Sequence, residues 1–351
     1  MRRPFLIDRR QALFALTASL YATRFAVAGQ TQPSETFFTA AFLREQLPAW
    51  SDASRAVLQR ALSPANGGRI DAQTVTELAA ATGGSVDTLM MTLAPMMRRY
   101  ARPPISNFFV GALARGRSGA LYAGTNIEVP QNGLNQTVHG EQAVVANAFG
   151  HGETGIEALV ATGSNGLAGP FEAGAPCGHC RQFLNELNGG ADLRILMPGK
   201  PAVALKNLLP DSFGPADLQQ TEAIFASKPH ALRLPASATG PLATAALDAA
   251  VRSYAPYSHS PSGCAIQTKA GTIVSGSYLE NAAFNPSLAP LQSALVALVM
   301  RQEAFADIVR VVLVESSGRT ISHAAETRMV LAALAPRATL TVLSASVSRL
   351  P

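Results

Sequence analysis

Cysteine is scarce in this chain: three residues in 351. That is too few for a disulfide framework, so a small disulfide-stapled fold is excluded. Charged residues make up 15% and aromatic residues 6%, with a single tryptophan. A basic channel lined with stacking aromatics, as single-stranded nucleic acid requires, is therefore poorly supplied. The formal charge of +5 gives little support either. Residues 1–28 hold Arg2, Arg3, Arg9, Arg10 and Arg24 against Asp8, a net +4, which leaves +1 for everything after them. The apolar segment 12–23 is too short to cross a bilayer, which takes about 20 residues. What remains, 48% apolar residues over 351 positions, is ordinary globular composition and enough chain for two packed domains.

The N-terminus reads as an export signal. A basic stretch ends in Arg9-Arg10, the short apolar segment follows, and Ala26-Val27-Ala28 stands before Gly29. Those are the three parts of a cleavable leader. Asp8-Arg9-Arg10-Gln11-Ala12-Leu13 resembles a twin-arginine signal, a route that suits a thiolate metal site folded and loaded before it meets an oxidising compartment. The expectation is a leader over residues 1–33 and a periplasmic protein; a cytoplasmic extension is the alternative.

Residues 34–98 read as helices, with Ser51, Asp71 and Ser85 placed as N-caps before apolar residues at helical spacing. Val86, Leu89, Met90, Leu93, Met96 and Met97 make an apolar stripe that belongs in a core. From Pro104 the texture alternates, which predicts an α/β sandwich. Residues 108–114 and 120–123 read as paired strands, 139–149 as a buried helix and 159–162 as a strand. Residues 177–187 read as a second helix, 193–197 as a strand and 203–205 as a weaker one. An internal repeat follows at an offset of 152: Pro104, Ser106 and Gly111 recur as Pro256, Ser258 and Gly263, and Gly124 and Glu128 as Gly276 and Glu280. The organisation expected is a leader (1–33), a helical segment (34–98), a catalytic domain (99–222), a linker (223–240) and a degenerate repeat (241–351).

Two of the three cysteines sit in Ala175-Pro176-Cys177-Gly178-His179-Cys180, downstream of Thr137-Val138-His139-Gly140-Glu141. This is the H-x-E…P-C-x-x-C order of zinc-dependent nucleobase deaminases. His139, Cys177 and Cys180 supply three zinc ligands, and structural sites usually have four. Three leave a position for water, whose pKa falls from about 9 on the aqueous ion toward roughly 7. Glu141 is the acid–base residue: it can carry protons to ring N3 and to the departing amine. A second tripeptide, His151-Gly152-Glu153, lies between Gly150 and Gly155 and reads as a turn. His179 reads as partly exposed and without metal, Cys264 as a small buried side chain, and His230, His259 and His323 have no partner cluster. Opposite His139 and Glu141, the second repeat shows Pro290-Leu291-Gln292-Ser293, with no ligand and no carboxylate, and no cysteine follows in 312–326.

With these residues in place, the chain resembles the two-domain bacterial cytidine deaminases from about residue 40 to near 320. Thr137–Gln142 is similar to their Thr-Val-His-Ala-Glu-Gln, with Gly140 in place of Ala. Residues 176–185 are similar to their Pro-Cys-Gly-His-Cys-Arg-Gln-Phe-Met-Asn. The resemblance implies a cytidine-deaminase-like α/β/α sandwich with two tandem repeats, one Zn2+ per chain and a homodimer. It implies deamination of cytidine and 2′-deoxycytidine in pyrimidine salvage. It also implies that Asn126 and Glu128 bind the ribose hydroxyls, that Phe108 packs on the pyrimidine and that Phe213 closes the pocket. The competing readings are a zinc deaminase acting on a base within RNA or DNA, and a zinc scaffold without catalysis.

Overall fold

Helices open the described part of the protein, which in this computed structural model is residues 37–347; the expected leader lies outside it. The first four are α1 (Ala40–Gln46), α2 (Asp52–Ala61), α3 (Ala72–Ala81) and α4 (Val86–Leu93). All three expected caps are made: Ser51 Oγ, an Asp71 carboxylate oxygen and Ser85 Oγ each accept the N–H three residues on, at 3.0, 3.0 and 3.2 Å. Each such cap stabilises its helix by about 1 kcal/mol. Leu89, Met90, Leu93, Met96 and Met97 are buried core residues.

Two sheets follow. The first contains β1 (Arg69–Ile70), β2 (Phe108–Gly116), β3 (Leu121–Thr125), β4 (Ile156–Asn165), β5 (Glu172–Ala173), β6 (Arg194–Met197) and β7 (Lys200–Ala204). Its order is β1-β3-β2-β4-β6-β7, with β5 paired to β4. The second contains β8 (Leu232–Arg233), β9 (Ser262–Thr268), β10 (Ile273–Ser277), β11 (Ile308–Ser316) and β12 (Thr339–Val347), in the order β10-β9-β11-β12-β8. In both, two antiparallel pairings are followed by one parallel pairing, β4 with β6 and β11 with β12. The parallel step requires a crossover helix, and it is this helix that carries the cysteines in the first copy. The remaining helices are α5 (Gly140–Gly150), α6 (Gly178–Leu184), α7 (Leu205–Leu208), α8 (Pro241–Arg252), α9 (Pro290–Met300) and α10 (Ala324–Leu334).

The repeated glycines have a physical cause. A Cβ on Gly111 would lie 2.3 Å from the Ala94 carbonyl oxygen, and one on Gly124 would lie 2.5 Å from the Gly140 oxygen. Ala112 pairs with Gly124, so Gly111 and Gly124 face opposite sides of the sheet. Segment 94–100 therefore packs on one face and α5 on the other. The second sheet repeats this with α8 against Gly263 and α9 against Gly276. Each sheet is thus a layer between helices, the sandwich the sequence predicts.

The offset between copies changes. It is 152 through Ile127 and Leu279, but Val138 and Leu288, which bridge to them, are 150 apart. The intervening loop is two residues shorter in the second copy. His139 therefore stands opposite Ala289 and Glu141 opposite Leu291, a shift of two from the alignment read off the sequence. Helices α5 and α9 are buried on nearly all sides and pack together at the centre of one core shared by both copies. The expected linker is more than a connector, since Ile224 bridges to Leu187 and β8 adds an edge strand beside β12. Helix α6 ends at Leu184, earlier than expected, because the chain turns there to make that bridge. Among the described residues no helix is long and apolar enough to cross a membrane.

Candidate active site

His139 is the N-cap of α5, in extended conformation, and its N–H donates to Gln142 Oε1 at 3.1 Å. Cys177 is the N-cap of α6, and Cys180 lies in the first turn, fully buried. Arg181 fixes the approach: Nε donates to the Pro176 carbonyl at 2.7 Å and Nη1 to the Leu208 carbonyl at 2.8 Å. The two helix starts bring the Cys177 and Cys180 sulfurs to 3.4 Å and Cys177 Sγ to 3.5 Å from His139 Nδ1. All three ligand atoms lie within 4.8 Å of one another, the one such group among the described residues. Two thiolates on tetrahedral zinc sit about 3.8 Å apart, so the cluster fits the ion after a shift of a few tenths of an ångström. Two thiolates and an imidazole also suit zinc better than the hard cations.

The charges agree with that use. The hydrogen bond that Cys177 shares with Cys180, together with His139, holds the Cys177 thiol down to about 3. Sharing that hydrogen bond with Cys177, then burial, pushes Cys180 well up. Cysteine binds a metal as thiolate, so a bound dication would displace the thiol protons of the pair. The hydrogen bond to Cys177 raises His139. Glu141, 7% exposed, is raised first by its burial.

A cavity of about 470 Å³ opens beside the cluster, lined by His139, Glu141 and Cys177 on one side and Phe108, Val110, Asn126 and Glu128 on another. Asn126 Oδ1 accepts from Val110 N–H at 3.0 Å, and its Nδ2 donates to the Phe108 carbonyl at 2.8 Å. Glu128 accepts from the Ile105 and Ser106 N–H groups at 2.8 and 2.9 Å and from Ser106 Oγ at 2.5 Å. Both side chains therefore brace the strand start that carries Phe108, whose ring covers Gly163 so closely that a Cβ there would come within 2.4 Å. Phe213 is not among the residues lining the cavity. It is 46% exposed, and its carbonyl accepts from Gln182 and Asn185 at the end of the cysteine helix.

The structure also places what the sequence left aside. His151 ends α5, and Gly152 takes a φ of 76°, so the second tripeptide is the turn expected. Glu153 is occupied by Tyr122 and Ser118. His179 is half-buried and stacks on His139 with ring centroids 4.9 Å apart, closer to the cluster than its helical position suggested. In the second copy the N-cap of α10 is His323, and its Nδ1 pairs with Glu326 at 2.5 Å. These two take the places of Cys177 and Cys180. Gln142 and Arg181 were missed as supports; a Gln at the third helical position is the capping-box signature that pointed to the first.

Gly140 has a local reason. A Cβ there would lie 2.7 Å from Val110 Cγ1 and 3.4 Å from Ala112 Cβ. Alanine gains up to about 1 kcal/mol in helix propensity, but overpacking against a stiff valine costs about 1–3 kcal/mol. Gly140→Ala is therefore expected to lower the urea midpoint, and to raise it when added to Val110→Ala. A single substitution that stabilises the parent would show that the contact has no weight.

A single His–Cys–Cys cluster with a buried carboxylate between sandwich layers defines a zinc-hydrolase type of site. Residues 85–192 and 205–328 each match the family described as the cytidine and deoxycytidylate deaminase zinc-binding region. A cytidine deaminase of Cronobacter sakazakii is 44% identical over 284 residues, covering 80% of this chain and 92% of that protein. Crystal structures of cytidine deaminases from Mycobacterium tuberculosis and Burkholderia pseudomallei are 31% and 29% identical, with TM-scores of 0.32 and 0.31. Each covers 36% of this chain, and 96% and 98% of their own chains. This chain belongs to the cytidine deaminase family. In the second matched segment, Ala289, Leu291, His323 and Glu326 occupy the places of the three ligands and the carboxylate.

Proposed function

We propose that this protein hydrolyses cytidine and 2′-deoxycytidine to the uridine nucleosides and ammonia, with His139, Cys177 and Cys180 as zinc ligands. The observation that carries this reading is the buried Glu141 carboxyl beside the three ligand atoms and open to the cavity. Zinc held there supplies Lewis acidity that makes a water nucleophilic at neutral pH. Glu141 accepts a proton from the attacking water and delivers it to ring N3 as C4 is attacked. It then passes the second proton to the amine, which leaves as ammonia. Asn126 and Glu128 read the ribose hydroxyls, an amide and a carboxylate facing a sugar edge. Phe108, which lines the cavity, packs on the pyrimidine, and Phe213, tied to the cysteine helix outside the cavity wall, is given the closing role by resemblance.

Ammonia release from free cytidine, compared with a cytosine-containing oligonucleotide, tests the substrate class. Turnover of the free nucleoside is expected; turnover of the polymer alone would contradict the reading. The activity returns pyrimidine nucleosides to salvage. Export through the twin-arginine-like leader is supported by Arg9-Arg10 and Ala26-Val27-Ala28, and an intact residue 1 on all native protein, seen by mass spectrometry, would end that part.

A homodimer is supported by apolar exposure at matching places in the two copies. Leu134 is 73% and Phe284 64% exposed, and they are 150 residues apart on equivalent loops. Met329, 53% exposed, is joined to the first loop by Asn132 Nδ2, which donates to its carbonyl at 3.4 Å. An interface that covers these side chains would remove their apolar surface from water. Sedimentation should give the mass of two chains for the parent and of one chain for Leu134→Glu with Phe284→Glu. A monomeric parent would refute the dimer.

A further inference from the structure

The second copy has lost its ligands but keeps one polar arrangement aimed at the first. Gln142 and Gln292 are the third residues of α5 and α9, 2% and 6% exposed. Each amide oxygen accepts the N–H of its own helix cap, His139 at 3.1 Å and Ala289 at 2.8 Å. Each amide nitrogen crosses to the other copy: Gln142 Nε2 donates to the Pro286 carbonyl at 2.9 Å and Gln292 Nε2 to the Gln136 carbonyl at 3.1 Å. Pro286 and Gln136 are themselves 150 residues apart, so the two bonds are related by the same symmetry as the repeats.

We propose that Gln292 is a positioning residue for the metal site of the first copy, acting through the Gln136 carbonyl on the segment that delivers His139. The chain from Gln136 to His139 is otherwise tied within its own copy: the Gln136 and Thr137 N–H groups donate to the Gly133 and Leu134 carbonyls at 2.9 and 3.0 Å, and the His139 carbonyl accepts from Ala143 N–H at 2.9 Å. Val138 exchanges two hydrogen bonds with Ile127, at 2.8 and 3.0 Å, and Gln142 holds the His139 N–H. Gln292 supplies the one side-chain anchor on the Gln136 carbonyl among the described residues, from a helix of the other copy that does not belong to the site. A metal site tolerates errors of only about 0.5 Å in its ligands, so an anchor three residues upstream of an imidazole ligand bears on where that ring sits. In the second copy the corresponding bond steadies a segment that ends in Ala289, where it serves packing alone. The proposal rests on His139 being a ligand.

Cobalt-substituted protein tests this, because the visible bands of Co2+ report ligand geometry directly. Gln292→Met keeps the length and loses both hydrogen bonds. It is expected to change the cobalt spectrum, weaken zinc binding about tenfold and lower kcat, with KM for cytidine held within about twofold. The control is Gln302→Met. Gln302 accepts from Phe37 N–H at 2.8 Å and donates to the Leu62 carbonyl at 3.1 Å, so it is a comparable bridge from the second copy, away from the metal. That variant should lose thermal stability and keep the parent spectrum and zinc affinity. If Gln292→Met does not fold, Gln292→Asn carries the same test: it keeps a neutral amide but is one methylene too short to span Ala289 and the Gln136 carbonyl. A folded Gln292 variant with the parent's spectrum and zinc affinity would overturn the proposal. A parent protein that binds no zinc would remove the ligand reading, and the proposal with it.

Discussion

Glu141→Gln should reduce kcat for cytidine by about 10⁴-fold, the upper end of what a single acid–base group contributes. That corresponds to about 5 kcal/mol of barrier. The size follows from one carboxyl serving both proton deliveries, with no second carboxyl of the described cavity lining free to replace it: Glu128 is held by Ile105 and Ser106. Gln fills the same volume, and Glu141 is not among the ligand cluster. Zinc content should stay at the parent's level, and KM should change far less than kcat. Steady-state kinetics with metal analysis on the same preparation checks this. A loss of less than about tenfold would assign the proton transfers elsewhere.

The second large effect separates the three cysteines. Cys180→Ala should abolish both zinc retention and cytidine turnover, because it leaves two protein ligands where the site needs three. Cys264 is equally buried, on β9 between Gly276 and Leu313, with no ligand near it. Cys264→Ala should therefore keep full zinc occupancy and turnover, at a stability cost of about 1 kcal/mol from the lost sulfur contacts. Activity that survives Cys180→Ala, or metal lost with Cys264→Ala, would contradict the ligand assignment.

Much of this was legible because the informative residues act locally. The caps at Ser51, Asp71 and Ser85 are read from four-residue windows, and the metal helices announce themselves by His139 and Cys177 at their N-caps. Gly111 and Gly124 were visible as a repeat, but their cause, a helix backbone on each face of the sheet, needed the third dimension. The change of offset from 152 to 150 was hidden because it falls in a loop with no matching residues. The edge strand at Leu232 could not be seen because a two-residue strand has no periodicity. Gln142 and Gln292 looked like ordinary polar residues on apolar helices. Their meaning depends on carbonyls about 150 residues away, which no local pattern encodes. Phe213 carries its expected role by resemblance alone, and the cavity wall is built without it.

The most direct measurement is cytidine turnover as zinc is added back to metal-free protein. Turnover should start near zero, rise linearly and break at one zinc per chain, because one cluster holds the ion and Ala289, Leu291, His323 and Glu326 do not. Full turnover before any zinc is added, or a break at two per chain, would contradict a single zinc site served by Glu141.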